Sequence, residues 1–153
     1  SLAGQPAAAF SEAEILQSGN GNQAQIEQYW GNSWGADLSE TNELNLTHLH
    51  QHGVANLALL IQVGGGNRID QTQHGKFQQA QINQYGSANE VDLSQSGFGN
   101  DANIQQSGTG NRGDITQRGS YNQVFLDQFG TANNYRLVQT GHGNNATVTQ
   151  TSY

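Results

Sequence analysis

Residues 80–111 read AQINQYGSAN EVDLSQSGFGN DANIQQSGTGN, and they set out three versions of one short unit. Gln84, Gln95 and Gln106 stand eleven residues apart. Each has an aliphatic residue two before it (Ile82, Leu93, Ile104), a glycine two after it (Gly86, Gly97, Gly108) and an asparagine five after it (Asn89, Asn100, Asn111). The positions four before, two before and at the glutamine share one parity, so an extended chain turns them to a single face. Ala80, Ile82 and Gln84 therefore predict an interior face. The glycine then supplies permissive backbone for a tight arc, and the asparagine suits turn geometry while carrying an amide inward. Eleven residues thus read as one strand and one arc, and the Gly and Asn within every window disfavour helix.

Outward from this stretch the unit recurs along the chain. Glutamines occupy Gln51, Gln62, Gln73, Gln84, Gln95, Gln106, Gln117, Gln128, Gln139 and Gln150 at steps of eleven, and Gln17 and Gln28 share that spacing. The aliphatic position holds Ile15, Ile26, Leu38, Leu49, Leu60, Ile82, Leu93, Ile104, Ile115, Leu126, Leu137 and Val148. Arc glycines are expected at Gly19, Gly53, Gly64, Gly75, Gly86, Gly97, Gly108, Gly119, Gly130 and Gly141. The asparagine column comprises Asn22, Asn45, Asn56, Asn67, Asn89, Asn100, Asn111, Asn122, Asn133 and Asn144.

A coarser period of 22 residues indicates that two units form one coil. Four before the glutamine, alternate units give Ala13, Ala36, Ala58, Ala80, Ala102, Val124 and Ala146, while the others give Ala24, Thr47, Ile69, Val91, Gly113 and Tyr135. Small side chains on one sheet would then face larger ones on the other, which lets two layers interdigitate. The expected fold is an all-β solenoid of strand-arc-strand coils with two facing parallel sheets, the geometry of a cross-β fibre. About six coils between residues 13 and 153, at about 4.8 Å per rung, make a body about 30 Å long. Inside it each amide lies over the next; unpaired, a buried amide would cost about 1–3 kcal/mol.

The pattern breaks at Trp30–Leu46, where one residue is inserted, Glu40 stands for Gln and Asn42 for Gly; a bulged arc and a weaker second coil are expected there. Gln71 and Gln78 replace an aliphatic residue and an asparagine, with Ile69 beside Gln71 to restore apolar volume. Residues 1–12, Ala-rich and holding the single proline Pro6, are expected to be a flexible leader of a secretion-targeting kind, following a signal peptide already removed. Ala146, Val148 and Gln150 keep the motif to the end of the chain with no polar cap after them. An uncovered last coil exposes unpaired backbone donors and acceptors, so continuation by another molecule is expected.

Composition narrows the function. Net charge is −7 with five Lys and Arg, which leaves no basic surface for nucleic acid. There is no cysteine, and no apolar run long enough to insert in a bilayer. No pocket-forming insertion or nucleophile constellation interrupts the repeat, and Gly64, Gly65 and Gly66 are followed by neither Lys-Ser/Thr nor a helix, so neither an enzyme nor a cofactor is expected.

The repeated Gln-x-Gly-x-x-Asn unit over residues 13–150 resembles that of the curli amyloid subunits, the curlins. Residues 140–150, TGHGNNATVTQ, are similar to the final repeat of the major subunit, the assignment favoured over the minor, nucleating one. The chain departs from the family pattern in placing Asn six before the glutamine, as at Asn56, Asn100 and Asn122, where the major subunit commonly has Ser, and in having about six repeats instead of five. The resemblance implies secretion by a Gram-negative bacterium and homopolymeric fibres in the biofilm matrix. It also implies partnership with a minor curlin nucleator and with curli secretion and chaperone proteins.

Outward positions suggest further chemistry. His48, His50 and His52 share a face, with His74 one coil beyond His52, a geometry open to Zn²⁺ or Cu²⁺. Exposed strand imidazoles need no partner, so the adopted reading is a solvated patch with no metal. Asp70, Asp92 and Asp114 form an outward column between His48 and Arg136, read as a solubilising row that solvent screens; the alternative is a column that slows premature assembly or binds a cation such as Ca²⁺. Leu59, Ile61 and Val63, and separately Phe125 and Phe129, point outward as candidate lateral contacts. The alternative function is a monomeric ice- or carbohydrate-binding solenoid; against it, Thr72, Thr116 and Thr140 make no continuous column.

Overall fold

A computed structural model describes residues 12–29 and 45–153. The strands are β1 (Glu12–Asn20), β2 (Gln23–Tyr29), β3 (Leu46–Val54), β4 (Leu57–Gly65), β5 (Arg68–Lys76) and β6 (Gln79–Ser87). They continue as β7 (Glu90–Phe98), β8 (Asp101–Thr109), β9 (Arg112–Ser120), β10 (Gln123–Thr131), β11 (Asn134–His142) and β12 (Asn145–Thr151). Odd strands form one six-stranded sheet in the order β1-β3-β5-β7-β9-β11, and even strands the other, β2-β4-β6-β8-β10-β12. All pairings are parallel. This is the β-solenoid that the periodicity predicts. From β3 onward every pairing joins residues 22 apart, as Gln73 with Gln95 and Gln84 with Gln106.

Alternation along each strand fills the interior. Ala102, Ile104 and Gln106 of β8 are buried, as are Val91, Leu93 and Gln95 of β7, and the aliphatic column from Leu49 to Leu126 forms one continuous core. The small-against-large arrangement holds: Ala58, Ala80 and Ala102 line one sheet, Thr47, Ile69 and Val91 the other.

Two expectations are corrected. The first two units lie in the sheets opposite to those expected, because β1 pairs with β3 and β2 with β4 at an offset of 34 residues: Ala13 meets Thr47 and Ala24 meets Ala58. β3 lies directly on β1, and this pairing keeps the aliphatic, glutamine and glycine columns in kind, Ile15 on Leu49, Gln17 on Gln51 and Gly19 on Gly53. A unit with Glu40 and Asn42 would set a carboxylate in the amide column and a Cβ in the glycine column. The bulged arc, Ala36, Leu38 and Glu40 lie outside the described residues, as does the leader through Ser11.

The glycines two after each glutamine do not make the arcs. Gly97 sits inside β7 at φ +116°, and a Cβ there would penetrate the carbonyl of Gly119 in the next coil. The same holds from Gly19 to Gly119, each against the corresponding glycine one coil on. Glycine is required so that two backbones can stack at rung spacing. The bend comes two residues later, in the left-handed region, at Gly66, Gly99 and Gly110 but also at Ala55, Phe77, Ala88, Tyr121 and Ala132, with φ of 55–57° for the non-glycines. Backbone bonds such as Ala88 N to Gly65 O at 3.1 Å and Gly110 N to Ser87 O at 3.0 Å hold successive arcs together.

Candidate functional site: the two open ends of the stack

The glutamines form two axial ladders. In each of ten contacts the Nε2 of one rung donates to the Oε1 of the rung on its C-terminal side, from Gln17 to Gln51 through Gln117 to Gln139 in one sheet and from Gln28 to Gln62 through Gln128 to Gln150 in the other. Typical separations are 2.7 Å for Gln51–Gln73 and 2.9 Å for Gln95–Gln117. The second proton crosses to the facing sheet, as Gln95 Nε2 to Gln79 O at 2.8 Å. Burial of these amides is tolerated because every proton has an acceptor.

The asparagines lock the arcs by the same logic. Asn100 donates from Nδ2 to Ser96 O at 3.0 Å and to Gly119 O of the next coil at 3.1 Å, and its Oδ1 accepts the backbone N–H of Asn122 at 3.1 Å. Gln78 takes over this role, donating to His74 O at 3.1 Å and accepting from Asn100 N at 3.2 Å. Gln71 does not adapt. It is buried in the aliphatic column between Leu49 and Leu93, and neither its Nε2 nor its Oε1 has a partner.

At the ends the columns stop unfinished. Among the described residues β1 and β2 have neighbours on one side only, as do β11 and β12. Ile15 and Leu16 are exposed in β1, whereas Leu49 in the next rung is fully buried. Gln139 and Gln150 still donate inward, to Gln123 O and Asn134 O, but among the described residues no glutamine lies beyond them. Asn144 bonds to Asn122 Oδ1 and Thr140 O and lacks the glycine carbonyl that Asn122 finds in Gly141. Directional ladders thus end in donors at one face and acceptors at the other.

On the outer surface the register places Glu14, His48, Asp70, Asp92, Asp114 and Arg136 in one column. His48 Nδ1 lies 3.0 Å from Asp70 Oδ1, and Arg68 donates to Asp70 Oδ2 at 2.6 Å. Partial burial pushes Asp70 up, yet the hydrogen bonds and charges of Arg68 and His48 outweigh it and hold the carboxyl below its usual range. Asp92 is raised, by burial first and then by Asp114 and Asp70 on either side. Ionised Asp70 therefore favours the fold, a contribution lost as pH falls through its lowered pKa, whereas ionised Asp92 opposes the fold, a penalty that is relieved as pH falls from its raised pKa towards the ordinary carboxylate value.

The His52 and His74 rings stack at 4.9 Å. Among the described residues no group of three or more His, Cys, Asp or Glu is arranged to hold a metal ion. Leu59, Ile61 and Val63 point outward but are half-buried, while Phe125 and Phe129 are exposed. Thr72 and Thr116 share a column interrupted by Ser94, and Thr140 lies in a different one. The sequence reading missed an aromatic ridge along one corner, Phe77 on Phe98 on Tyr121 on His142, with ring centroids 5.4–5.6 Å apart edge to face. Its steps of 21, 23 and 21 residues alternate between strand end and arc, which hides it from a search at fixed spacing.

A parallel β-solenoid with interior amide ladders is the class of fold that the described residues define. Four matches to the curlin associated repeat, over residues 45–75, 78–108, 98–130 and 108–136, cover more than half of the chain, which therefore belongs to the curlin family of structural proteins. Neither the curated proteins nor the solved structures contain a significant match to it.

Proposed function

We propose that this chain is a secreted subunit of extracellular curli fibres in the biofilm matrix of a Gram-negative bacterium, polymerising head to tail by strand addition at its open end rungs. The observation behind this reading is the in-kind continuation available at the ends. Placing β1 of one copy on β11 of another sets Gln17 on Gln139, Ile15 on Leu137 and Gly19 on Gly141. In the second sheet β2 on β12 sets Gln28 on Gln150 and Ile26 on Val148. The glutamine, aliphatic and glycine columns then continue without change of residue class, and the unfinished donors meet acceptors.

The family implies fibre assembly. A minor curlin as nucleator and dedicated secretion and chaperone proteins are the partners proposed beyond the chain itself. The amides make assembly specific, because only another rung of the same repeat satisfies them. Purified chain is expected to develop thioflavin fluorescence after a lag, and preformed fibres are expected to abolish that lag. A chain that stays monomeric at high concentration, with or without seeds, would refute the reading.

A further inference from the structure

Resting on the fibre reading above, we infer that the junction between copies is set by an ion pair: Arg136 of one copy holds Glu14 of the next. The outer column runs Glu14, His48, Asp70, Asp92, Asp114, Arg136, so three carboxylates stack between a cation at the C-terminal rung and an anion at the N-terminal rung. Arg136 Nε stands 3.5 Å from Asp114 Oδ2 on its inner side, and its side chain is 77% exposed. The outer side of the guanidinium is open among the described residues, one rung from where the column would continue. Glu14 at the other end faces His48 inward and is exposed outward.

Continuing the two sheets at the internal register places Glu14 directly over Arg136, at about the 4.8 Å strand spacing, within reach of both long side chains. The guanidinium then bridges two carboxylates, Asp114 of its own chain and Glu14 of the neighbour. On the interior face of the same rungs Tyr135 meets Ala13, a large residue against a small one. Reversing one copy destroys this match. Two C-terminal rungs would put an Arg136 on each side of the junction with no Glu14 between them, and two N-terminal rungs a Glu14 on each side with no Arg136. The pair thus selects fibre polarity and register, while the buried columns supply cohesion.

The test is a charge exchange read by seeded elongation at low salt. Glu14→Arg alone makes every junction Arg against Arg, and Arg136→Glu alone makes every junction Glu against Glu. An equimolar mixture of the two variants can alternate so that every junction is oppositely charged. Each single variant is expected to extend its own seeds about 3- to 10-fold more slowly than wild type, as the replacement of an exposed attraction by a repulsion allows. The mixture is expected to recover to within about 2-fold of wild type, and the differences should shrink at about 1 M salt, where the Debye length is about 3 Å.

Because Arg136→Glu also places a carboxylate beside Asp114, the exchange is repeated on an Asp114→Asn background, where that in-chain repulsion is absent. A mixture no faster than the single variants on both backgrounds, or single variants that match wild type, would overturn the inference while leaving fibre formation intact. Failure of the wild-type chain to elongate seeds would instead overturn the fibre reading and this inference with it.

Discussion

Alanine at Gly97 is expected to prevent the solenoid from closing, whereas alanine at Gly141 is expected to leave the chain folded and stop it from growing at its C-terminal end. At Gly97 the new Cβ lies inside the van der Waals surface of the Gly119 carbonyl, and the obstacle is backbone, which has no rotamer to escape into. The rungs must part, and parting them breaks the local backbone ladder together with the Gln95–Gln117 and Asn100–Gly119 bonds. With about 1 kcal/mol for each lost bond and about 1–3 kcal/mol for an L-residue at this positive φ, the loss is on the order of 5 kcal/mol, comparable with the whole stability of a small domain. At Gly141 the same Cβ meets only Asn144 Nδ2, at 3.5 Å, because no coil follows it among the described residues. Far-UV circular dichroism separates the two outcomes: lost strand signal for Gly97→Ala, and retained signal with arrested seeded elongation for Gly141→Ala.

Gln95→Leu is expected to destabilise the fold strongly, and Gln71→Leu to stabilise it. The side chains are of similar size and both sites are buried, so the sign is decided by hydrogen bonding alone. Gln95 accepts from Gln73 at 2.9 Å and donates to Gln117 Oε1 at 2.9 Å and to Gln79 O at 2.8 Å. Leucine leaves those three buried groups without their partner; at about 1–3 kcal/mol each, the cost is on the order of 3–9 kcal/mol. Gln71 has no partner to lose, so leucine between Leu49 and Leu93 removes an unsatisfied amide and gains about 1–3 kcal/mol. Urea denaturation of the two variants should move the midpoint in opposite directions. Equal shifts of one sign would mean that the amide column acts only by filling volume.

In a parallel in-register stack the sequence period is the structural period, so Gln73, Gln95 and Gln117 announce their own contact. That is why the coil length, the two sheets and the outward column from His48 to Arg136 are legible in the sequence. What was not legible has physical causes. A glycine in the pattern reports that a Cβ is forbidden, but not by what; at Gly97 the reason is the next backbone, while the real bends accept Phe77, Ala88 and Tyr121 at positive φ. The small-against-large signal that assigns sheets fails at the N-terminal end because Ala13 and Ala24 are both alanine. The count of 22 does not carry across the insertion, and the pairing of Gln17 with Gln51, 34 residues apart, sets the register there instead. Gln71 and Gln78 both break the motif with a glutamine, yet the arc gives the longer amide of Gln78 both a donor and an acceptor while the aliphatic layer gives Gln71 neither.

The central physical claim is that the junction between chains repeats the contact between rungs, with no gap and no added spacer. Mass per unit length by scanning transmission electron microscopy tests it directly. The six rungs of the described residues, at about 4.8 Å each, occupy about 29 Å of axis. The expected value for a single filament is therefore one 16.4 kDa chain per about 29 Å, or a whole multiple of that for bundled filaments. A markedly lower mass per length, or fields containing only compact single particles, would contradict the claim.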